Sequence, residues 1–235
     1  MPDRSALSTG FAELEAGPTL RVRVWDLPTR LFHWLLALAV VSQLATGLAG
    51  AMEWHFRIGY LVLALLLFRL AWGFVGGHWS RFGAFLYSPG SLINYLRGEA
   101  QPHHLVGHTP LGALSVFALL VLLALQVASG LVADDEVSAS GPLTRFVSNA
   151  TVGLASAWHV FAKWIVLALV VLHVLAVLFY VTLRRQQLVG PMLSGDKLLA
   201  QQAPASRDDA ATRLGALVIF AACLGFAYWI STLRV

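Results

Sequence analysis

The sequence predicts an all-α integral membrane protein, built as a bundle of five transmembrane helices. Of its 235 residues, 58% are hydrophobic and only 12% are charged, whereas an ordinary globular domain carries roughly twice that share of charge. The mean hydropathy of +0.72 agrees with this class. Five apolar stretches are near the length of about 20 residues that a bilayer requires; they run from Leu31 to Met52, Phe56 to Val75, Leu111 to Val132, Ala157 to Thr182 and Leu214 to Leu233.

The first helix carries its own start signal. Residues 1–20 have no apolar periodicity, and we expect them to form a mobile cytoplasmic tail. In the stretch VWDLPTR, Asp26 is suited to cap the helix, and Pro28 falls in the first turn, where a missing N–H group has no cost. The triplet Ala49-Gly50-Ala51 resembles a signal-peptidase site, but it ends a span too long for a signal-peptide core, so we expect no cleavage there.

The connections between the spans differ in character. Residues 76–110 form a long cytoplasmic connection, and the apolar middle around Leu86 to Leu96 predicts an amphipathic helix at the membrane interface. The later stretch QQAPASRDDAATR is typical of a flexible linker. The chain accordingly divides into the tail at 1–20, a transmembrane core at 21–197, a cytoplasmic linker at 198–213 and an additional C-terminal transmembrane helix at 214–235.

The basic residues indicate the orientation in the membrane. The formal charge is +4, and most of the basic residues fall on one side of the predicted spans: Arg4, Arg21, Arg23, Arg30, Arg81, Arg97, Arg184, Arg185, Lys197, Arg207 and Arg213. The opposite side carries the acidic run Asp134-Asp135-Glu136. By the positive-inside rule, the N-terminus is cytoplasmic and the C-terminus periplasmic. The excess of basic residues therefore indicates how the protein inserts into the membrane and contacts anionic lipid, and it does not indicate a nucleic-acid partner.

Four histidines lie in or beside predicted spans, where an imidazole without a partner costs several kcal/mol. His159 and His173 are 14 residues apart, which places their rings about 21 Å apart and about 40° out of line on one helix face. Alternating topology puts His55 near the outer face with His159, and His33 near the cytoplasmic face with His173. We call these pairs the outer site and the inner site. Each joins imidazoles from two helices, as axial ligation of a haem iron requires.

Other roles for these histidines have to be weighed. A single histidine within a membrane is often only hydrogen-bonded to a carbonyl or a hydroxyl. A membrane transporter or a metal-ion channel could also use histidines as proton relays or metal ligands. The two separated layers of histidines favour two haems over these alternatives. Cys223 is the single cysteine, which excludes a disulfide, a thiolate zinc site and covalent haem attachment, so the expected cofactors are two non-covalent b haems.

Two cations lie inside predicted spans. Arg69 follows His55 by 14 residues, which places it about 21 Å further along the helix, at the depth of the inner site. An Arg fork suits a haem propionate, and Lys163, one turn after His159, suits a propionate at the outer site. Snorkelling of either side chain to the lipid headgroups is the alternative. The loop histidines are expected to be solvated or in contact with headgroups; they are His78, His103, His104 and His108.

Four motifs extend this interpretation: RVWDLPTRLFHW, WHFRIGY, FRLAWGFVGGHWSRF and GHTPLGA. Together they resemble those of the bacterial di-haem cytochrome b561 and hydrogenase-type cytochrome b superfamily, over about residues 21–197. The resemblance implies that His33 pairs with His173 and His55 with His159 as iron ligands. It also implies that electrons pass between a quinone pool and a redox partner. The fifth span departs from the four-helix core of the superfamily.

The residues and the resemblance together predict transmembrane electron transfer by a di-haem b-type cytochrome in a bacterial inner membrane. The expected partners are membrane lipid, quinone and a redox protein such as a periplasmic cytochrome c. A membrane anchor for a hydrogenase-like complex is the alternative partner mode. The sequence contains no acid–base dyad, activated nucleophile or quinone motif, so it leaves open whether the protein is a quinone-linked oxidoreductase.

Overall fold

The structure, a computed structural model, describes residues 19–99, 101, 104 and 106–234. Its helices are α1 (Leu27–Leu48), α2 (Met52–Val75), α3 (Pro89–Leu96), α4 (Pro110–Val132), α5 (Asn149–Thr182), α6 (Val189–Ser194) and α7 (Ala210–Thr232). In the chain, the strand β1 (Leu20–Arg23) precedes the first four long helices and the strand β2 (Asp196–Leu199) follows them. Short 3-10 turns lie at His78–Ser80, Phe82–Ala84 and Thr144–Phe146. The predicted tail at 1–20 lies almost entirely outside the described residues.

The five long helices confirm the predicted number of spans, since α1, α2, α4, α5 and α7 are each long and apolar enough to cross a membrane. All five begin earlier than hydropathy predicts, α5 by the widest margin. Asp26 caps α1 by accepting a hydrogen bond from the Thr29 N–H at 2.8 Å, as predicted, so the helix starts at Leu27. Ser148 caps α5 in the same way. The first turns of α5 are too polar for a hydropathy scale to include, although a capped helix accommodates them easily.

Among the first four long helices, neighbours in the chain pack on each other, whereas α7 packs on the side of α2. α1 packs on α2, α4 packs on α5, and α7 packs on α2. One apolar cluster joins α1, α2 and α7 through Phe32, Phe68 and Ala216, and the Phe220 ring lies 5.8 Å from the Phe68 ring. A second cluster joins α1, α4 and α5. α7 therefore covers a face of α2 and does not separate the first four spans from one another.

The two strands pair at the end of the bundle where α1 begins, a contact that the sequence does not predict. β1 and β2 are antiparallel, with Leu20 opposite Leu199 and Arg23 opposite Asp196. Arg21 and Arg23 both form ion pairs with Asp196, at 2.8 Å and 2.5 Å. Four-residue strands separated by almost the whole chain carry too little local pattern to be recognised in a sequence.

The segment between β2 and α7 contacts this same end of the bundle. Ser206 donates a hydrogen bond to the Val24 carbonyl at 2.7 Å, and the Trp79 indole donates one to the Pro204 carbonyl at 2.7 Å. Asp208 forms ion pairs with Arg23 at 2.6 Å and with an arginine in the first turn of α7 at 3.0 Å. The predicted linker, residues 198–213, therefore makes defined contacts with the transmembrane core.

Candidate functional site

The outer site brings two histidine rings close together between α2 and α5. His55 lies in the first turn of α2, and His159 lies in the outer half of α5. Their ring centroids are 6.0 Å apart, and the ring planes are nearly perpendicular, at 89°. The pairing that the sequence predicts from depth alone thus corresponds to a direct contact between the two imidazoles.

Both rings are oriented through the same nitrogen. His55 Nδ1 lies 3.2 Å from the Gln43 carbonyl oxygen, and His159 Nδ1 lies 3.0 Å from the Gln126 carbonyl oxygen. Because a carbonyl oxygen can only accept a hydrogen bond, each Nδ1 carries the proton of a neutral imidazole. The Nε2 lone pair of each ring is then available to a metal, which is the arrangement that ligating histidines generally adopt.

The separation of the rings fits a metal between them. An imidazole nitrogen binds a metal at about 2 Å, so two imidazoles on opposite sides of one iron have ring centres roughly 6 Å apart. The observed 6.0 Å between the His55 and His159 centroids agrees with this value. His55 and His159 could therefore both bind one haem iron at the outer site.

Glycines on the neighbouring helices make room for both rings. A Cβ atom on Gly130 of α4 would lie 2.8 Å from His159 Cε1, and one on Gly47 of α1 would lie 3.1 Å from His55 Cε1. Both values are below the ordinary contact distance of about 3.5–4.0 Å between carbon atoms. The two helices can approach the ligand rings this closely because neither glycine has a side chain.

A cavity of about 290 Å³ surrounds the outer site, near the lower end of the roughly 300–1,000 Å³ that proteins use for cofactors. Apolar side chains provide most of its wall, as the body of a porphyrin would require. Its charged lining residues are Lys163, Asp134 and Asp135. Lys163 therefore borders the outer site as predicted, with its Nζ 5.4 Å from the centre of the Trp164 ring.

The inner site is less tightly assembled. His33 on α1 and His173 on α5 lie within electrostatic range of each other. His33 Nδ1 is buried and has no hydrogen-bond partner among the described residues. Its ring stands edge-on to Trp34, with centroids 5.1 Å apart, and the Trp34 indole donates a hydrogen bond to the Met192 carbonyl. The structure thus brings the two helices together here without a direct contact between the imidazoles.

Arg69 lies inside the inner end of the bundle. The residue is only 3% exposed, and its guanidinium carbon is 4.7 Å from the centre of the Phe82 ring. One guanidinium nitrogen, Nη1, is buried without a hydrogen-bond partner among the described residues. The charge of Asp26 acts on Arg69, but the buried Nη1 donor remains free to bind a further carboxylate, such as that of a cofactor.

The sequence does not reveal the environment of His108. Its ring is not solvated, because it packs against Trp25 at 4.7 Å and Phe85 at 4.3 Å between centroids. Burial, together with the nearby Arg69 and His33, lowers the pKa of His108 to about 3, so the ring is neutral at pH 7. The stretch GHTP offers one clue, since Thr109 caps α4 and Pro110 starts it, which fixes His108 at the mouth of the bundle.

The other loop histidines divide between surface and interior. His78 is exposed, in agreement with the expectation. His104 is 1% exposed, contacts Tyr87 edge-on, and accepts a hydrogen bond from the Gln101 N–H at 3.1 Å, so the solvated position expected for it is wrong. His103 lies outside the described residues. Within the described parts of the chain, no group of three or more His, Cys, Asp or Glu side chains could hold a metal ion.

Comparisons with known proteins agree with this geometry. Residues 24–195, well over half of the chain, match the family described as prokaryotic cytochrome b561. A protein of Cupriavidus necator described as "Probable Ni/Fe-hydrogenase B-type cytochrome subunit" is 26% identical, over 82% of this chain and 95% of its own length. Proteins of Azotobacter chroococcum mcd 1 and Azotobacter vinelandii with the same description are also 26% identical, over 85% of this chain and 98% of their own. No solved structure matches the chain.

The matched residues contain all four histidines of the inner and outer sites, and they end before α7 begins. Together with five helices of membrane length, the match makes the chain a multi-pass inner-membrane protein that transfers electrons as a b-type cytochrome. The transporter and ion-channel alternatives have no such support. The chain belongs to the prokaryotic cytochrome b561 family.

Proposed function

We propose that the protein carries two b haems, one at the outer site and one at the inner site, and relays electrons across the membrane between them. The observation that supports this most directly is the outer pair, in which both imidazoles are fixed through Nδ1 and stand 6.0 Å apart. The interval between His159 and His173 on one continuous helix supports a second layer, because a single haem would carry an electron only part of the way across.

When bound, each haem supplies the one-electron chemistry, and the chain supplies binding, orientation and electrostatics. The carbonyl groups of Gln43 and Gln126 keep the outer imidazoles in the tautomer that can bind iron. The apolar wall of the cavity excludes water from the same place. At the inner site, we assign the unpartnered Arg69 donor to a haem propionate, and we assign Lys163 to a propionate of the outer haem.

We further propose that quinone exchanges beside the inner haem. The ring of His108 is buried against Trp25 and Phe85 and lies in electrostatic range of His33. Because its pKa is lowered to about 3, His108 is a neutral hydrogen-bonding group at pH 7. His104 and Arg81 belong to the same connection between α2 and α4. These residues could hold a quinone headgroup by hydrogen bonds at this end of the bundle.

The proposed orientation has the N-terminus in the cytoplasm and the C-terminus in the periplasm, as the basic residues predict. The acidic loop then faces the periplasm, where a redox partner with a basic face would be steered toward the outer haem. The relatives named as hydrogenase cytochrome subunits favour a hydrogenase-type partner. A soluble periplasmic cytochrome c is the alternative partner.

Haem content and ligand replacement test the proposed sites. Absorption of the purified, reduced protein should show b-type bands and about two haems per chain. His55→Ala and His159→Ala should each remove the outer haem, and His33→Ala and His173→Ala the inner one, because each change deletes one of two axial bonds to a single iron. Equal loss of both haems in all four inserted variants would contradict the pairing, and one haem per chain in the unaltered protein would contradict the second site.

A further inference from the structure

The Tyr60 hydroxyl is a buried donor without a partner in the wall of the outer cavity. Tyr60 lines the same cavity as His55 and His159. Its hydroxyl oxygen is buried and has no hydrogen-bond partner among the described residues. Leaving a buried hydroxyl unpaired costs about 1–3 kcal/mol, and such groups usually have a partner. The cavity is the place where that partner would lie.

The Tyr60 side chain points toward the end of α2 that carries His55. Side chains on a helix lean toward its N-terminus, and α2 begins at Met52. The guanidinium carbon of Arg234 lies 4.0 Å from the centre of the Phe56 ring at this end and within electrostatic range of Tyr60. Tyr60 thus borders the cavity, and the Arg234 cation, which follows α7 in the chain, lies against Phe56, another residue of the cavity wall.

Two other polar groups of the cavity wall already have partners within the protein. The Asp135 carboxylate already accepts hydrogen bonds from the Ala139, Ser138 and Val137 N–H groups, which hold its pKa below the usual range and keep it negative. The side-chain amide of Gln126 already donates to the His159 carbonyl. Among the residues that the structure describes, Lys163 is the one cation that lines the cavity itself, whereas a haem has two propionates.

We propose that the Tyr60 hydroxyl donates a hydrogen bond to one propionate of the outer haem, and that the fifth span holds Arg234 beside it as the countercharge. The inference rests on the proposed ligation of that haem by His55 and His159. It gives a role to α7, which lies outside the residues that match the family and packs on the face of α2. Removal of either group leaves the propionate charge less neutralised, which disfavours adding an electron to the iron.

Tyr60→Phe tests the inference, because it removes the hydroxyl and keeps the ring. A hydrogen bond to a charged group contributes about 1.5–3 kcal/mol, so retention of the outer haem should weaken roughly 10- to 150-fold. The midpoint potential of that haem should also fall. In redox-difference infrared spectra with isotope-labelled propionates, a carboxylate band should shift. Tyr228→Phe is the matched control, since Tyr228 lies on α7 and is 71% exposed.

Arg234→Gln should lower the same potential in the unaltered background and have a smaller effect when combined with Tyr60→Phe, because both groups act on one propionate. An unchanged propionate band and potential in Tyr60→Phe would overturn the inference while leaving the haem ligation intact. Retention of both haems in His159→Ala would instead refute the outer site, and the inference with it.

Discussion

Gly130→Ala places one methyl group where the His159 ring lies. The added Cβ would stand 2.8 Å from His159 Cε1, whereas carbon atoms in contact are about 3.5–4.0 Å apart, so the ring has to move by roughly 1 Å. Metal–ligand distances hold within about 0.2 Å of their standard values. We therefore expect His159 either to lose its bond to the outer iron or to keep it only under strain.

The size of this effect follows from the cost of overpacking, which is about 1–3 kcal/mol. Since each 1.4 kcal/mol is a factor of about ten in an equilibrium constant, dissociation of the outer haem should increase roughly 5- to 150-fold. Gly47→Ala should do less, because its Cβ would be 3.1 Å from the His55 ring. Gly153→Ala is the matched control in the helix of His159, where an added Cβ meets no heavy atom within 4 Å.

The assay measures haem per chain in the purified protein, together with a potentiometric titration that resolves the two haem components. Gly130→Ala should lose the outer component, Gly47→Ala should retain more of it, and Gly153→Ala should retain both components in full. If Gly130→Ala inserted normally and kept two components at unchanged potentials, the close approach of α4 to His159 would have no bearing on haem binding.

Three further predictions test other parts of the molecule. Arg69→Leu should lower the potential of the inner haem in a redox titration, and Arg69→Lys should lower it less, because a positive charge near the iron is lost only in the first variant. Joint replacement of Asp134, Asp135 and Glu136 by Asn, Asn and Gln should slow electron exchange with a basic redox partner at low salt and leave quinol-driven haem reduction intact; unchanged partner kinetics would refute steering. Hydrogen bonds from the first turn of α7 lower the pKa of Asp209 to about 2. The Asp209 carboxylate should therefore stabilise the protein above the ordinary carboxyl pKa, and this effect should be lost as the pH falls toward 2. Asp209→Ala should lower the thermal midpoint at pH 7 and change it little near pH 2.

Local signals were sufficient to predict most of the fold. The five spans follow from apolar runs of bilayer length, and the start of α1 follows from Asp26 and Pro28. The depth of the four histidines predicts two pairs, and of these His55 and His159 lie 6.0 Å apart between ring centroids; the ligand roles of all four remain predictions. Each of these features depends on residues that are close in the chain or on the alternation of the spans.

The features that escaped prediction depend on distant residues. Nothing near His159 in the sequence indicates that the Gln126 carbonyl orients its ring, or that Gly130 gives it space. The burial of His108 likewise arises from Trp25 and Phe85, which reach it from two other parts of the chain. Such contacts are set by how the helices pack, and helix packing is not encoded in any single stretch.

The pairing of β1 with β2 also dictates an order of assembly. Arg21 precedes the first span, and its partner Asp196, 175 positions later in the chain, follows the fourth. During translation, the two strands cannot meet until four spans have left the ribosome. The pairing of β1 with β2 is therefore among the last contacts to form. A chain shortened just before Asp196 would still contain every proposed iron ligand but could not form the pairing of β1 with β2.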